Sequence, residues 1–177
     1  IKSANIQIGE LKKVKKIFNK SFIKAVDLIL NCKGKIIFAG IGKSGLIARK
    51  ISATFSSVGI PSFFCDPAQA LHGDMGQIEK KDILIIFSYS GNTSELTNML
   101  KYANRYRIKI IGVASKPESI LLKASDVKLI LPKVKEADVT GMVPTSSTSI
   151  TLLLGDCLAT TIMQQKKFSK EKFKVFH

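Results

Sequence analysis

The apolar positions of the first thirty residues recur at helical spacing (Ile6, Ile8, Leu11, Val14, Ile17, Phe18, Phe22, Ile23, Val26, Ile29), with lysines between them, and predict one amphipathic helix. Asn31-Cys32-Lys33-Gly34 ends that segment. The pattern then changes period. Lys35 to Ala39 is a short β-rich run, Ser44 to Val58 returns to helical spacing, and Ser62 to Cys65 follows Pro61 as a second strand. Ile83 to Phe87, Ile108 to Val113 and Val127 to Leu131 are three further largely apolar runs, separated by helical stretches at 93–106 and 118–124. Runs that are apolar throughout belong to strands covered on both faces. The alternation predicts an α/β chain: a three-layer α/β/α sandwich on a five-stranded, mostly parallel, doubly wound sheet. Pro144, read as a first-turn residue, opens a last helix running to about Gln165. That helix is too apolar to be wholly exposed, and the pattern leaves open whether it packs on the sheet or on a partner subunit.

A length of 177 residues at 45% apolar composition fits one domain, with residues 1–33 as a helical segment and 34–177 as the α/β core. Cys32, Cys65 and Cys157 are odd in number and widely spaced, which indicates neither a disulfide framework nor a zinc site. No basic-then-apolar leader opens the chain, and the apolar stretch 150–163 is interrupted by Thr151, Gly155, Asp156, Thr160 and Thr161. A cytoplasmic chain with no membrane partner is expected. It begins at Ile1 rather than methionine, as a fragment of a longer protein would. The net charge of +15 comes from scattered lysine pairs, with no Trp and three Tyr, so a solvated surface is expected rather than a nucleic-acid partner.

Two turns carry candidate chemistry. Gly40-Ile41-Gly42-Lys43-Ser44-Gly45 satisfies GxGxxG between a strand and a helix, with Asp66 following at the end of the next strand. That is a dinucleotide fingerprint, and an NAD(P)-binding reading stays open beside it. Lys43 argues the other way, because it places a mobile cation where a pyrophosphate would approach bare backbone. A P-loop is excluded, since it needs glycine where Ile37 stands. The second turn, Ser88-Tyr89-Ser90-Gly91-Asn92-Thr93-Ser94-Glu95, sets Ser88, Ser90 and Thr93 around a glycine at a helix start. Hydroxyls and free helix amides there form a phosphate cradle, and Gly91 lets the backbone approach the anion. Asn92 and Glu95 also have capping-box spacing.

This second turn resembles the SxSGxTxE loop of sugar isomerase (SIS) domains. Together with Gly40 to Gly45, Pro67 to Gly76 (containing His72-Gly73-Asp74), Lys135-Glu136-Ala137, Pro144 to Thr148 and Gly155-Asp156, it is similar to the arabinose-5-phosphate isomerases of the 3-deoxy-manno-octulosonate (KDO) pathway. The likeness runs from about Gly34 to His177. Gln69, Tyr89 and Asp138-Val139-Thr140 depart from the family's usual Glu, Asn and Cys-Pro-Leu. The resemblance implies a flavodoxin-like SIS fold, no cofactor or metal, a homotetramer, and a catalytic domain without the C-terminal cystathionine-β-synthase-type modules common in the group. It also implies aldose–ketose isomerisation of D-arabinose 5-phosphate and D-ribulose 5-phosphate through an enediol. The implied catalytic set is Lys43, Glu95, Glu136 and His177. Glu136 is expected as base with Glu95 its close rival, Lys43 steadies the oxyanion, and His177 opens the ring or shuttles a proton. Gly42, Ser44, His72, Ser88, Ser90, Gly91, Thr93, Thr145 and Ser146 are expected to bind substrate or phosphate. A phosphosugar-sensing module without turnover remains the second reading. A metal site at Cys65, His72 and Asp74 has no regular spacing to support it.

Overall fold

A computed structural model describes residues 1–175. The chain runs through α1 (Lys2–Leu11), a 3-10 segment (Lys12–Ile17), α2 (Lys20–Leu30), β1 (Ile36–Gly40), α3 (Gly42–Ser57) and β2 (Ser62–Phe64). It continues through β3 (Ile83–Phe87), α4 (Leu96–Arg105), β4 (Lys109–Ala114), α5 (Ile120–Ala124), β5 (Val127–Ile130), α6 (Ser146–Gln165) and α7 (Lys170–Val175). Two 3-10 turns, Gln69–His72 and Asp74–Gln77, lie between β2 and β3.

Every residue of β1 and β3 is buried, because successive side chains feed opposite layers. Ile36, Phe38, Ile83, Ile85 and Phe87 enter one core with the N-terminal segment, α3 and α6. Ile37, Ala39, Leu84 and Ile86 enter a second core with α4 and α5. Phe38 anchors the first, meeting Phe55 edge-on at 4.9 Å and stacking on Phe87 at 6.1 Å. The five strands are all parallel in the order β2-β1-β3-β4-β5, with helices on both faces. From β1 the chain moves first to one side and then returns to the other, so the sheet reverses direction between β1 and β3. A ligand crevice belongs outside the carboxyl ends of those two strands.

Three expectations are corrected. The N-terminal helix is broken into α1, a 3-10 segment and α2, because the Asn19 side chain accepts from Ser21 N at 2.8 Å and caps a new helix. Pro144 lies outside α6, whose N-cap is Thr145. The helix expected from Thr93 begins at Leu96, since the preceding residues form the turn itself. The open question about the last helix also has an answer: Ile150, Leu154, Leu158 and Ile162 of α6 pack in the first core of this same chain.

Candidate active site

The turn after β3 is held by its own hydroxyls. Gly91 N donates to Ser88 O at 3.0 Å and to Ser88 Oγ at 3.1 Å, and Ser88 Oγ lies 2.9 Å from Thr93 Oγ1. Asn92 N donates to Ser90 Oγ at 3.3 Å, while the Asn92 side-chain oxygen accepts from Ile120 N at 3.0 Å and ties the turn to α5. Gly91 has φ +70°, and a Cβ there would lie 2.2 Å from Ser119 Oγ. The amides of Ser90, Thr93 and Ser94 have no acceptor among the described residues. Free amides and hydroxyls converging at a helix start are what an oxyanion requires.

Beside this turn, at the C-terminal end of β1, Gly42 adopts φ +57° and starts α3, which places Lys43 and Ser44 in its first turn. The Lys43 side chain is exposed and has no ion-pair partner among the described residues. The segment from β5 to α6 forms the third wall and carries Glu136, which is half-buried. Glu136 Oε2 accepts from Thr145 N at 2.8 Å, Thr145 Oγ1 at 3.0 Å and Ser147 N at 3.3 Å, so the carboxylate caps α6. Burial pushes this carboxyl upward, but the hydrogen bonds from Ser147 and Thr145 outweigh it and hold it below the usual carboxylate range.

These walls enclose an open cleft of about 510 Å³. Of the residues singled out from sequence, Lys43, Ser44, Ser88, Ser90, Thr93 and Glu136 line it. Gly42 and Gly91 shape its two turns without lining it. Thr145 serves Glu136, and also accepts from Ala137 N at 2.8 Å. Ser146 is buried outside the cleft lining, and its hydroxyl has no hydrogen-bond partner among the described residues. His72 is exposed on a 3-10 turn and does not line the cleft. Glu95 is exposed outside the lining, its carboxylate below the usual range through its own backbone amide and the Ser94 hydroxyl, which donates at 2.8 Å. With the Asn92 side chain committed to Ile120, no capping box joins it to Glu95. His177 lies outside the described residues.

Sequence reasoning passed over Ser147, Thr148 and Thr151, which line the cleft from α6. Their spacing of one and four residues was the available signal, obscured by an otherwise apolar helix. Two alternatives lose ground. Asp66 Oδ1 accepts from Ala68 N at 2.9 Å and so caps its own turn, and the strand order is not that of a dinucleotide fold. The Cys65 thiol is pushed up to about 11, by burial first and then by Asp74 and Asp66, and among the described residues no group of three His, Cys, Asp or Glu is placed to hold a metal. No described helix is long and apolar enough to cross a membrane.

Fold and cleft together define a doubly wound α/β protein with a polar cleft at its switch point. A model of the SIS domain matches residues 29–161, and the chain belongs to the SIS domain family. Arabinose 5-phosphate isomerase KdsD of Francisella tularensis is 42% identical over 180 residues, covering 100% of this chain and 55% of its own length. The enzyme of the same name from Pseudomonas aeruginosa is 44% identical over 156 residues, covering 88% of this chain and 48% of its own. An Escherichia coli protein solved in complex with arabinose 5-phosphate superposes with a TM-score of 0.89 at 36% identity, covering 95% of this chain and 91% of its own. The chain spans about half the length of the curated relatives it matches.

Proposed function

We propose that this chain is an aldose–ketose isomerase domain that interconverts D-arabinose 5-phosphate and D-ribulose 5-phosphate through an enediol, the first step toward KDO and lipopolysaccharide. One observation carries the reading: a cradle of hydroxyls and free amides, the unpaired Lys43 and the Glu136 carboxylate converge on one cleft. The names of the relatives support the choice of sugar.

The reaction moves a hydrogen from C2 of the aldose to C1 of the ketose, while the carbonyl shifts from C1 to C2. A carboxylate can take the C2 proton and return it to C1. Glu136 suits that task because its hydrogen bonds keep it ionised and oriented. The enediolate oxygens need a positive partner, and Lys43 supplies one from the turn after β1. Ser88, Ser90 and Thr93 anchor the phosphate, so that only the far end of the sugar reacts. Glu95 is a second acid/base or orienting group, and His177 opens the ring or shuttles a proton. The domain acts in the cytoplasm as a homotetramer.

The direct test is Glu136→Gln. Turnover should fall by at least about 100-fold, the usual lower bound for losing a general base, with the sugar phosphate still bound. Wild-type turnover with unchanged binding would show that the base lies elsewhere, with Glu95 first in line.

A further inference from the structure

Glu136 directly follows Pro132 to Lys135, four residues of the segment between β5 and α6 that belongs to no helix or strand. Backbone of this kind is mobile unless something holds it. Here each of the four residues is held by a side chain from outside the stretch. The Tyr89 hydroxyl donates to Pro132 O at 3.3 Å and accepts from Val134 N at 3.0 Å. From the opposite direction, Lys13 Nζ reaches Lys133 O at 3.3 Å, and Glu10 Oε2 accepts from Lys135 N at 3.0 Å. Glu10 and Lys13 are themselves paired at 2.5 Å, one turn apart. The bonds alternate along the chain, with Tyr89 on residues 132 and 134 and the N-terminal segment on 133 and 135. An extended backbone turns successive peptide groups to opposite sides, so two clamps facing each other share the four residues.

Two features make this more than ordinary loop packing. Glu10 and Lys13 precede residue 29, where the match to the SIS domain model begins, so the clamp reaches the Glu136 segment from outside the matched residues. Tyr89 stands between the cradle residues Ser88 and Ser90, and its side chain bridges the phosphate turn to the Glu136 segment. The contact at Lys135 N is one peptide bond away from the residue whose carboxylate is to meet the sugar.

Resting on the isomerase reading above, we infer that Glu10 and Tyr89 are positioning residues for Glu136: they clamp Pro132 to Lys135 between the N-terminal helix and the phosphate turn and set the distance from base to anchored sugar. Neither performs proton transfer itself. Small displacements of a catalytic group cost rate more than affinity, because the phosphate still binds while the base no longer meets C2 in line.

The test compares Glu10→Ala, Glu10→Gln and Tyr89→Phe with Glu136→Gln in the intact protein, following kcat, KM for arabinose 5-phosphate and Tm. Glu10→Ala and Tyr89→Phe should lower kcat by about tenfold to 100-fold with KM within about twofold of wild type. Glu10→Gln keeps an oxygen acceptor for Lys135 N and should restore most of the rate. Should Glu10→Ala fail to fold, Tyr89→Phe, which removes one hydroxyl, carries the same prediction. Wild-type kcat in Tyr89→Phe and Glu10→Ala, or a rise in KM alone, overturns the clamp. So does a Glu10→Gln enzyme as slow as Glu10→Ala. If Glu136→Gln itself retains full turnover, the fault lies with the assignment of the base and not with the clamp.

Discussion

Gly91 concentrates two constraints in one residue: its φ of +70° is costly for any side chain, and Ser119 Oγ occupies the space a Cβ would need. Gly91→Ala should therefore destabilise the domain by about 1–3 kcal/mol from backbone strain alone, read from denaturant unfolding. It should also weaken sugar-phosphate binding, because the amides of Ser90 and Thr93 would no longer point together. A Gly91→Ala protein with wild-type stability and affinity would mean that the turn does not need its left-handed residue. At this scale the sequence was informative where chemistry is local. Hydroxyls around a glycine at a helix start announce an anion site by themselves. Nothing local shows that Thr145 would serve Glu136 rather than a ligand, since the two are joined only when β5 and α6 are placed in space.

Among the elements, the start of β3 is secured by a buried acid. Asp82 Oδ1 accepts from Lys35 N and Oδ2 from Glu79 N, each at 2.8 Å, and Lys35 Nζ pairs with Oδ2 at 3.0 Å. Burial raises the Asp82 carboxyl, but the two backbone amides and the Lys35 side chain outweigh it and leave it below its ordinary value. A folded value below the unfolded one gives stability that is complete above the unfolded value and is lost as pH falls through the folded one. Asp82→Asn should cost about 1–3 kcal/mol at neutral pH, the range for an unmet buried partner, and should flatten the acid side of the stability curve. Equal acid sensitivity of the two proteins would assign that loss to other carboxylates. β1 and β3 were legible because a fully covered parallel strand is apolar at every position, whereas β5, at the sheet edge, alternates buried and exposed residues around Lys128 and β4 opens on the exposed Lys109. The N-terminal break was not legible, because the apolar spacing continues across Asn19 while the cap that interrupts the helix is a single side chain. The start of α4 was misplaced for a related reason: Thr93 to Glu95 have helix-start composition but form the turn.

Across the whole molecule, the strand reversal between β1 and β3 decides where the chemistry can be. It brings a cation from residue 43, a cradle from residues 88–93 and a carboxylate from residue 136 to one mouth. A net charge of +15 favours the approach of an anionic sugar at long range. The order of motifs foretold that convergence because sheets of this topology bind at the switch point. The contribution of the N-terminal segment was not legible, since Glu10 and Lys135 are 125 residues apart and Glu10 stands in no recognisable motif. The central claim is proton transfer on a bound pentose phosphate, and it is tested most directly by incubating the protein with arabinose 5-phosphate in deuterium oxide and following the sugar by NMR. The account predicts formation of ribulose 5-phosphate with deuterium entering at C1 of the ketose and C2 of the aldose. Arabinose 5-phosphate that binds and raises Tm, yet shows neither interconversion nor exchange, would contradict it and leave a binding module in its place.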